Sequence, residues 1–256
     1  MPRFFLQFSY NGTRFNGYQK QPKAITIQET IEKALTILAK KPIEIVGCGR
    51  TDTGVHAKNY FAHFDIDEDL NWQDNAKQYQ LILSLNALIK PDIVVHKIHL
   101  VPDEAHARFD ATSRTYYYYL DLERSPFNHE TAVYIPYIHQ ANIELMQAAA
   151  QMLMNYTDFQ TFCKTETDVK TYICHLTQSF WTLDTERNQL IYTITANRFL
   201  RGMIRLIVGM CLQVGTGKMT LEEVENALKN QKPLRKAYSA PGHGLYLTDI
   251  KYPYIN

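Results

Sequence analysis

Apolar residues in the first half of the chain recur at the spacings of strands and helices. Over residues 3–10, Phe4, Leu6, Phe8 and Tyr10 alternate with their neighbours and share one face, which predicts a strand. Thr26 followed by Glu29 resembles a capping box, and the apolar residues after it recur at helical spacing. Further strands are predicted over 43–48, 59–66 and 93–101, and a helix over 75–89.

The second half of the chain repeats this mixture. Strands are predicted over 115–122, 172–183, 189–197 and 245–252, and helices over 142–154 and 199–214. Thr220 and Glu223 form a second capping-box pattern, which opens a short helix to about residue 229. We therefore predict an α+β protein with helices on a mainly antiparallel sheet, divided into residues 1–105 and 106–256.

Composition and charge narrow the function only slightly. Hydrophobic residues make up 45% of the 256 residues and charged residues 21%, which is typical of a globular core. Lys and Arg total 27 against 26 Asp and Glu, so the net charge is +1. This balance argues against a polybasic tail or indiscriminate coating of nucleic acid, although a local basic groove remains compatible with it.

The cysteines and the apolar runs indicate a reduced, soluble protein. The four cysteines are scattered and form no C-x-x-C pair, which predicts mostly buried thiols and no metal site. No signal peptide is visible, and the longest apolar run, Leu206 to Leu212, is too short to cross a bilayer. We expect a cytoplasmic protein that does not associate with membranes.

Residues 49–57 are the most informative stretch, and they read Gly49-Arg50-Thr51-Asp52-Thr53-Gly54-Val55-His56-Ala57. The glycines let the backbone bend, and the threonine hydroxyls can hold the Asp52 side chain or its neighbouring amides. Most loop aspartates only close an Asx-turn or cap a helix. Here Arg50, which can reach a phosphate, lies in the same loop, and the nine residues together are far more specific than a single Asp. Asp52 is therefore a candidate nucleophile.

This stretch resembles the catalytic loop of the TruA family of tRNA pseudouridine synthases, whose motif reads G-R-T-D-A/S-G-V-H-A. Other family motifs follow in the right order, in segments 3–13, 17–19, 26–28, 106–116, 197–205 and 240–247. The resemblance implies two ferredoxin-like subdomains flanking a central cleft, in the pseudouridine synthase fold. It also implies conversion of uridine to pseudouridine at tRNA positions 38, 39 and 40 in the anticodon stem-loop, without cofactor or metal, by a homodimer.

The resemblance assigns catalytic roles to three residues. Asp52 matches the family's nucleophile, and Arg205 matches the arginine that pairs with it and keeps it charged. Tyr116, two residues after Arg114, matches the tyrosine that stacks on the target uracil. Whether Asp52 attacks the base or the ribose, or assists elimination to a glycal, is left open by the sequence. Without the resemblance, the spacing of Arg205 favours a solvated helix face shared with Arg198 and Arg201, and Tyr116 fits an aromatic strand.

RNA contacts are expected from further basic residues. Arg50 is the candidate to fill the space that the flipped base leaves. His106 and Arg108 come from the family's His-Ala-Arg-Phe segment, and Lys164 and Lys170 from a basic segment that reads Lys170-Thr171 where the family has Arg-Thr. His56 lies four residues after Asp52, where it could act as a general base, but we expect it to stabilise the loop instead.

Two other functions compete with this interpretation. Asp52-Thr53-Gly54 matches the D-T-G of aspartic proteases, but those enzymes need two facing aspartates, so this chain would have to act as a symmetric dimer. The second alternative is a tRNA-binding paralogue that is catalytically idle or directed at another RNA target.

Overall fold

The computed structural model describes residues 1–67, 72–89, 91–163 and 170–255. The chain divides into two compact units, one made of residues 1–112 with 246–256 and the other of residues 113–245. The sequence-based division between residues 105 and 106 stays a prediction. Among the described residues, no helix combines the length and apolar character needed to cross a membrane.

Nine strands and five α-helices occur in the described residues. The strands are β1 (Arg3–Tyr10), β2 (Val46–Gly47), β3 (His56–Asp65), β4 (Ile93–Val101), β5 (Ser113–Asp121), β6 (Val133–Tyr134), β7 (Leu176–Asp184), β8 (Gln189–Ala196) and β9 (Leu245–Lys251). The helices are α1 (Ile27–Ala39), α2 (Asn75–Leu88), α3 (Ile143–Met152), α4 (Met203–Gly215) and α5 (Leu221–Lys229). The predicted α+β class with a mainly antiparallel sheet is confirmed.

In the first unit, β1 is the central strand and pairs antiparallel with β3 and β4. β9, which belongs to this unit from Tyr246 onward, pairs parallel with the start of β3. The alternation predicted for β1 holds for Phe4, Leu6 and Phe8, which are fully buried. Phe5 on the other face is buried as well, because the rings of Tyr252 and Tyr254 pack edge-on against it.

The strand predicted over 43–48 is reduced to β2. Side chains of α1 form hydrogen bonds with the backbone N–H and carbonyl groups that a longer strand would have paired. Ile45 donates its N–H to Glu32 Oε1 at 3.2 Å and accepts at its carbonyl from Gln28 Nε2 at 3.1 Å. Ile43 donates its N–H to Thr36 Oγ1 at 3.2 Å. Since these groups are already satisfied, no ladder forms there.

In the second unit, β8 lies between β5 and β7 and pairs antiparallel with both, while β6 pairs parallel with β5. α3 packs against α4, α5 and β7. The core includes Tyr118 of β5, Tyr192 of β8 and Ile207 of α4, none of which is exposed. The capping box predicted at Thr220 and Glu223 is confirmed at the start of α5.

Helix α4 begins at Met203, four residues later than the predicted start at 199. Gly202, with φ of +71°, precedes it as the cap, and this left-handed conformation ends any helix coming from the N-terminal side. Asn197 to Arg201 therefore lie in a connection between β8 and α4 and not on the helix.

Candidate active site

Asp52 lies on the loop that leads into β3, in the first unit. Its side chain is half-buried, and its backbone belongs to a tight turn in which the N–H of Val55 donates to the Asp52 carbonyl at 3.2 Å. Gly54 closes this turn with φ of +77°, a conformation that favours glycine. The turn presents Asp52 at its first position, so the carboxylate is carried by a compact hydrogen-bonded loop.

Thr51, the residue before Asp52, is anchored on both its side chain and its backbone. Its hydroxyl hydrogen-bonds to the hydroxyl of Tyr10 at 2.8 Å in a buried position at the end of β1. Its carbonyl accepts from the N–H of Tyr18 at 3.1 Å. These bonds restrain the backbone from which the Asp52 side chain projects. Tyr10 and Tyr18 lie in segments 3–13 and 17–19, for which the sequence predicts no individual roles.

Two glycines let neighbouring backbone approach the Asp52 loop. A Cβ on Gly17, whose φ is +86°, would lie 2.7 Å from the carbonyl oxygen of Thr51. A Cβ on Gly12 would lie 2.8 Å from the carbonyl carbon of Val55 and closer to its oxygen. Both distances are shorter than real Cβ contacts allow, so the loop fits against these segments only because the two side chains are absent.

His56 is part of this support. The N–H of Gly12 donates to His56 Nδ1 at 3.1 Å, so that nitrogen carries no proton. The imidazole is buried and stacks on Tyr246 with centroids 4.4 Å apart. Both contacts support a structural role for His56 in the loop.

Replacing Gly12 by Ala is expected to lower both stability and turnover. The new methyl must displace the backbone at Val55, which we expect to reduce the free energy of unfolding by about 1–3 kcal/mol. Chemical denaturation and turnover assays would measure the two effects. Gly49→Ala is the matched control, because no atom lies within 4 Å of a Cβ at that position. An equal loss in both variants would contradict the packing explanation.

Arg50 is exposed, and the described part of the chain contains no ion pair to it. The guanidinium is therefore open to a ligand from solvent. Its position two residues before Asp52 places it on the same loop.

Tyr116 lies on β5 in the second unit, opposite Ile194 of β8. It is half-buried, and its ring meets Phe199 edge-on with centroids 5.3 Å apart. Tyr118 lies on the same face of the strand but is fully buried, and its hydroxyl donates to the carbonyl of Pro241 at 2.9 Å. Burial raises the pKa of Tyr118 well above its usual value. Of these two tyrosines, Tyr116 is the accessible one.

Arg205 lies in the first turns of α4 and is half-buried. Its Nε donates to the carbonyl of Ala240 at 2.6 Å, and the N–H of Ala240 donates to the Arg205 carbonyl at 3.0 Å. The alternative of a solvated face shared with Arg198 and Arg201 is wrong, because both precede the helix. Arg205 is held in place by its own contacts.

His106 organises the loop that follows β4. The backbone N–H of His106 donates to Asp110 Oδ2 at 2.7 Å. Its ring Nδ1 accepts from the backbone N–H groups of Arg108 and Phe109 at 3.1 and 3.3 Å. Burial lowers the pKa of His106, which favours the neutral ring that these bonds require. His106 is thus a structural residue of the loop in this structure.

The tip of this loop carries an exposed aromatic ring and a cation. Phe109 is 74% exposed, and the guanidinium of Arg108 lies 5.7 Å from its centroid. Phe109 belongs to the His-Ala-Arg-Phe segment, and the sequence predicts no role for it. What singles out Phe109 is that its large ring is exposed on a loop held by hydrogen bonds. This exposure is visible only in the structure.

The two remaining predicted RNA contacts and the cysteines can be placed only in part. Lys170 is exposed, whereas Lys164 lies outside the described residues. Cys48, Cys174 and Cys211 are buried. Within 1–67, 72–89, 91–163 and 170–255, no group of three or more His, Cys, Asp or Glu side chains is placed to hold a metal ion.

The family model and the curated relatives that match this chain agree on one family. The family model described as tRNA pseudouridine synthase matches residues 149–253. A protein of Parabacteroides distasonis called tRNA pseudouridine synthase A is 45% identical over 253 residues, which cover 99% of this chain and 97% of that protein. Proteins with the same name from Porphyromonas gingivalis and Bacillus subtilis are 42% and 36% identical. They cover 99% and 98% of this chain, and the matches span 98% and 99% of their own lengths.

Proposed function

The chain belongs to the TruA family of tRNA pseudouridine synthases and isomerises uridine in tRNA, and we propose that its targets are the uridines at positions 38, 39 and 40 of the anticodon stem-loop. The observation that carries the proposed mechanism is the Asp52 loop, which Tyr10, Gly12 and Gly17 hold in one conformation. Membership of this family excludes the aspartic protease alternative.

Isomerisation breaks the N1–C1′ bond of uridine, turns the uracil and rejoins it through C5. The C5 hydrogen leaves as a proton and N1 regains one, so the reaction has no net redox change and transfers no group to a second molecule. We assign to Asp52 the role of nucleophile, which an ionised carboxylate can fill without a cofactor. A restrained loop favours this role, because a nucleophile held in the attacking geometry avoids the entropic cost of being positioned in each turnover.

Arg205 and Tyr116 complete the proposed catalytic set. Arg205 is the cation that keeps Asp52 ionised when the bound base removes water from it. The bond from its Nε to Ala240 restricts the guanidinium, which supports a directed role over a solvated one. Tyr116 is the proposed stacking partner of the target uracil, because it combines accessibility with a fixed ring orientation against Phe199.

Recognition of the stem-loop is proposed to rest on RNA shape and backbone. The exposed side chains of Arg50, Arg108 and Lys170 support this, and Phe109 offers an aromatic face beside one of them. Phosphate contact by His106 itself stays a prediction. So do the homodimer, the two ferredoxin-like subdomains with their cleft, and cytoplasmic action.

We also propose that the hydroxyl of Tyr116 assists removal of the proton from the base. Tyr116→Phe is therefore expected to lower turnover while leaving tRNA affinity close to that of the wild type, because the stacking ring remains and only the hydroxyl is lost. Tyr116→Ala should also weaken binding, since stacking on a base contributes about 1–3 kcal/mol. Filter binding and single-turnover kinetics would separate the two effects.

Tyr117→Phe is the matched control for Tyr116, since it removes a hydroxyl from the next residue on the opposite face of β5. We expect wild-type turnover from it. If Tyr117→Phe lowers turnover and Tyr116→Phe does not, the role belongs to the other face of the strand.

The proposed function is tested by release of tritium from tRNA labelled at uracil C5. Release is expected from tRNAs with uridine at position 38, 39 or 40, and not from the same tRNAs with cytidine at those positions. Release that persists after this replacement would show a retargeted enzyme. Absence of release from every tRNA, with binding retained, would favour the idle paralogue.

A further inference from the structure

Residues 236–240, here called the strap, run along one face of α4 in the direction opposite to the helix. At one end, Gln213 Nε2 donates to the carbonyl of Lys236 at 2.8 Å. At the other, the N–H of Ala240 donates to the carbonyl of Arg205 at 3.0 Å. The strap is therefore tied to the helix at both ends, although it contains no helix or strand of its own.

Gly209 lets the middle of the strap approach the helix. A Cβ at this position would lie 2.7 Å from the carbonyl carbon of Tyr238, closer to its carbonyl oxygen and 3.1 Å from its Cδ1. Any side chain would push the strap outward. Gly in a helix interior lowers helix stability by about 1 kcal/mol relative to Ala. Here, however, the missing side chain allows the strap to approach α4 closely.

The contact residues of α4 and those of the strap have matching spacings. On α4 the contacts are made by Arg205, Gly209 and Gln213. These residues are four positions apart, which is about 6 Å along the helix axis. Those on the strap fall two residues apart, roughly 6.6–6.8 Å in an extended chain, at Ala240, Tyr238 and Lys236. The two repeats agree to within about 1 Å, so an extended segment can meet all three helix positions.

Ala240 holds both the backbone and the side chain of Arg205. Besides its N–H bond to the Arg205 carbonyl, its own carbonyl accepts from Arg205 Nε at 2.6 Å, and Ala240 is fully buried. The next residue, Pro241, accepts at its carbonyl from the hydroxyl of Tyr118 on β5 at 2.9 Å. Because Nε lies in the plane of the guanidinium, the position of Ala240 sets the direction of that plane.

We propose that the strap is a positioning element for the Arg205 guanidinium in uridine isomerisation, and that Gly209 and Gln213 are its positioning residues. This inference rests on the role proposed for Arg205. Gly209 and Gln213 act through Arg205 and do not touch the substrate. Their loss therefore changes turnover and leaves tRNA affinity nearly unchanged.

Gly209→Ala tests this directly. We expect kcat for tritium release to fall about 10–100-fold, as for a catalytic group displaced by up to about 1 Å, with KM for tRNA within about twofold of the wild type. Ala favours helix over Gly, so a weaker helix does not account for the loss. Ile207→Val is the control, since it alters a fully buried residue across the helix from the strap and should keep wild-type kcat.

A second measurement does not depend on activity. The Nε–H of Arg205, assigned in NMR spectra by its disappearance in Arg205→Lys, is expected to exchange slowly with solvent in the wild type and in Ile207→Val. In Gly209→Ala it should exchange faster, because the bond to Ala240 is strained or lost. Gln213→Met, which removes one anchor and keeps the side-chain length, should give a smaller change in the same direction.

The outcomes separate the strap from the proposed function. A lower kcat together with faster Nε–H exchange in Gly209→Ala supports the strap. Faster exchange with unchanged kcat, or slow exchange retained in Gly209→Ala, overturns it. If the wild type releases no tritium, the proposed function fails, and the exchange rate still decides whether the strap holds the guanidinium. If Gly209→Ala does not fold, the same comparison is made with Gln213→Met.

Discussion

Asp52→Asn is expected to abolish tritium release from C5-labelled tRNA, with a loss of turnover of more than about 10⁴-fold, as for removal of a nucleophile. Asn has nearly the shape of Asp and is tolerated in the same turn, so the loop held by Thr51 and Gly54 should persist. The amide carries no charge and is a poor nucleophile. tRNA affinity should therefore stay within about twofold of the wild type, since shape and backbone contacts dominate binding.

Thr53→Ala is the control for Asp52, because it changes the exposed neighbouring residue in the same loop. The family motif commonly has Ala or Ser at this position, so wild-type turnover is expected. Equal release by the wild type and Asp52→Asn would still support the reaction, but it would show that Asp52 is not the nucleophile. Loss of tRNA binding in Asp52→Asn would instead show that the loop conformation depends on the carboxylate.

Arg205→Lys should lower kcat by roughly 10²-fold or more while changing tRNA affinity little, as expected when one directed electrostatic contact is lost. The Nε of Arg205 donates to Ala240, and the terminal nitrogens of a guanidinium can serve a carboxylate at the same time. A lysine ammonium is a single point charge and cannot keep both positions on one rigid plane. Steady-state kinetics with labelled tRNA would measure kcat and KM separately.

The control for Arg205 is Arg201→Lys. Arg201 is exposed and lies just before α4, so this change keeps the charge outside the helix and should leave kcat unchanged. If Arg205→Lys also keeps wild-type kcat, the contact with Ala240 serves only packing. A rise in KM with unchanged kcat would place Arg205 in RNA binding and not in the chemical step.

The elements that the sequence predicted best are those with local signals. β1 and β4 occupy the predicted residues, because alternation along a strand decides which side chains are buried. The caps at Thr26 and Thr220 were also predicted, because each depends on a residue three positions away. In the site, the motif around Asp52 was sufficient to identify the reaction class through the family it resembles.

The remaining features depend on segments that are distant in sequence. The late start of the strand before the Asp52 loop depends on Glu32 and Gln28, which lie on α1 and satisfy the backbone of Ile45. The late start of α4 depends on one backbone angle at Gly202. The supports of Asp52 and Arg205 are close approaches of one chain segment to another, and a single sequence carries no periodic signal for such contacts.

The first unit is discontinuous in sequence, since it is completed by residues 246–256 after the whole second unit. Tyr246, which stacks on His56, and Tyr252, whose hydroxyl donates to the carbonyl of Ala107 at 2.5 Å, both belong to this last segment. A ribosome adding roughly 5–20 residues per second needs on the order of ten seconds to translate residues 113–245. During that interval the nascent chain already contains Asp52, but it lacks the aromatic ring that covers His56. The Asp52 loop therefore gains the support of Tyr246 only after residues 113–245 have been translated, and a premature stop codon at position 246 would remove that ring and leave the motif in the chain.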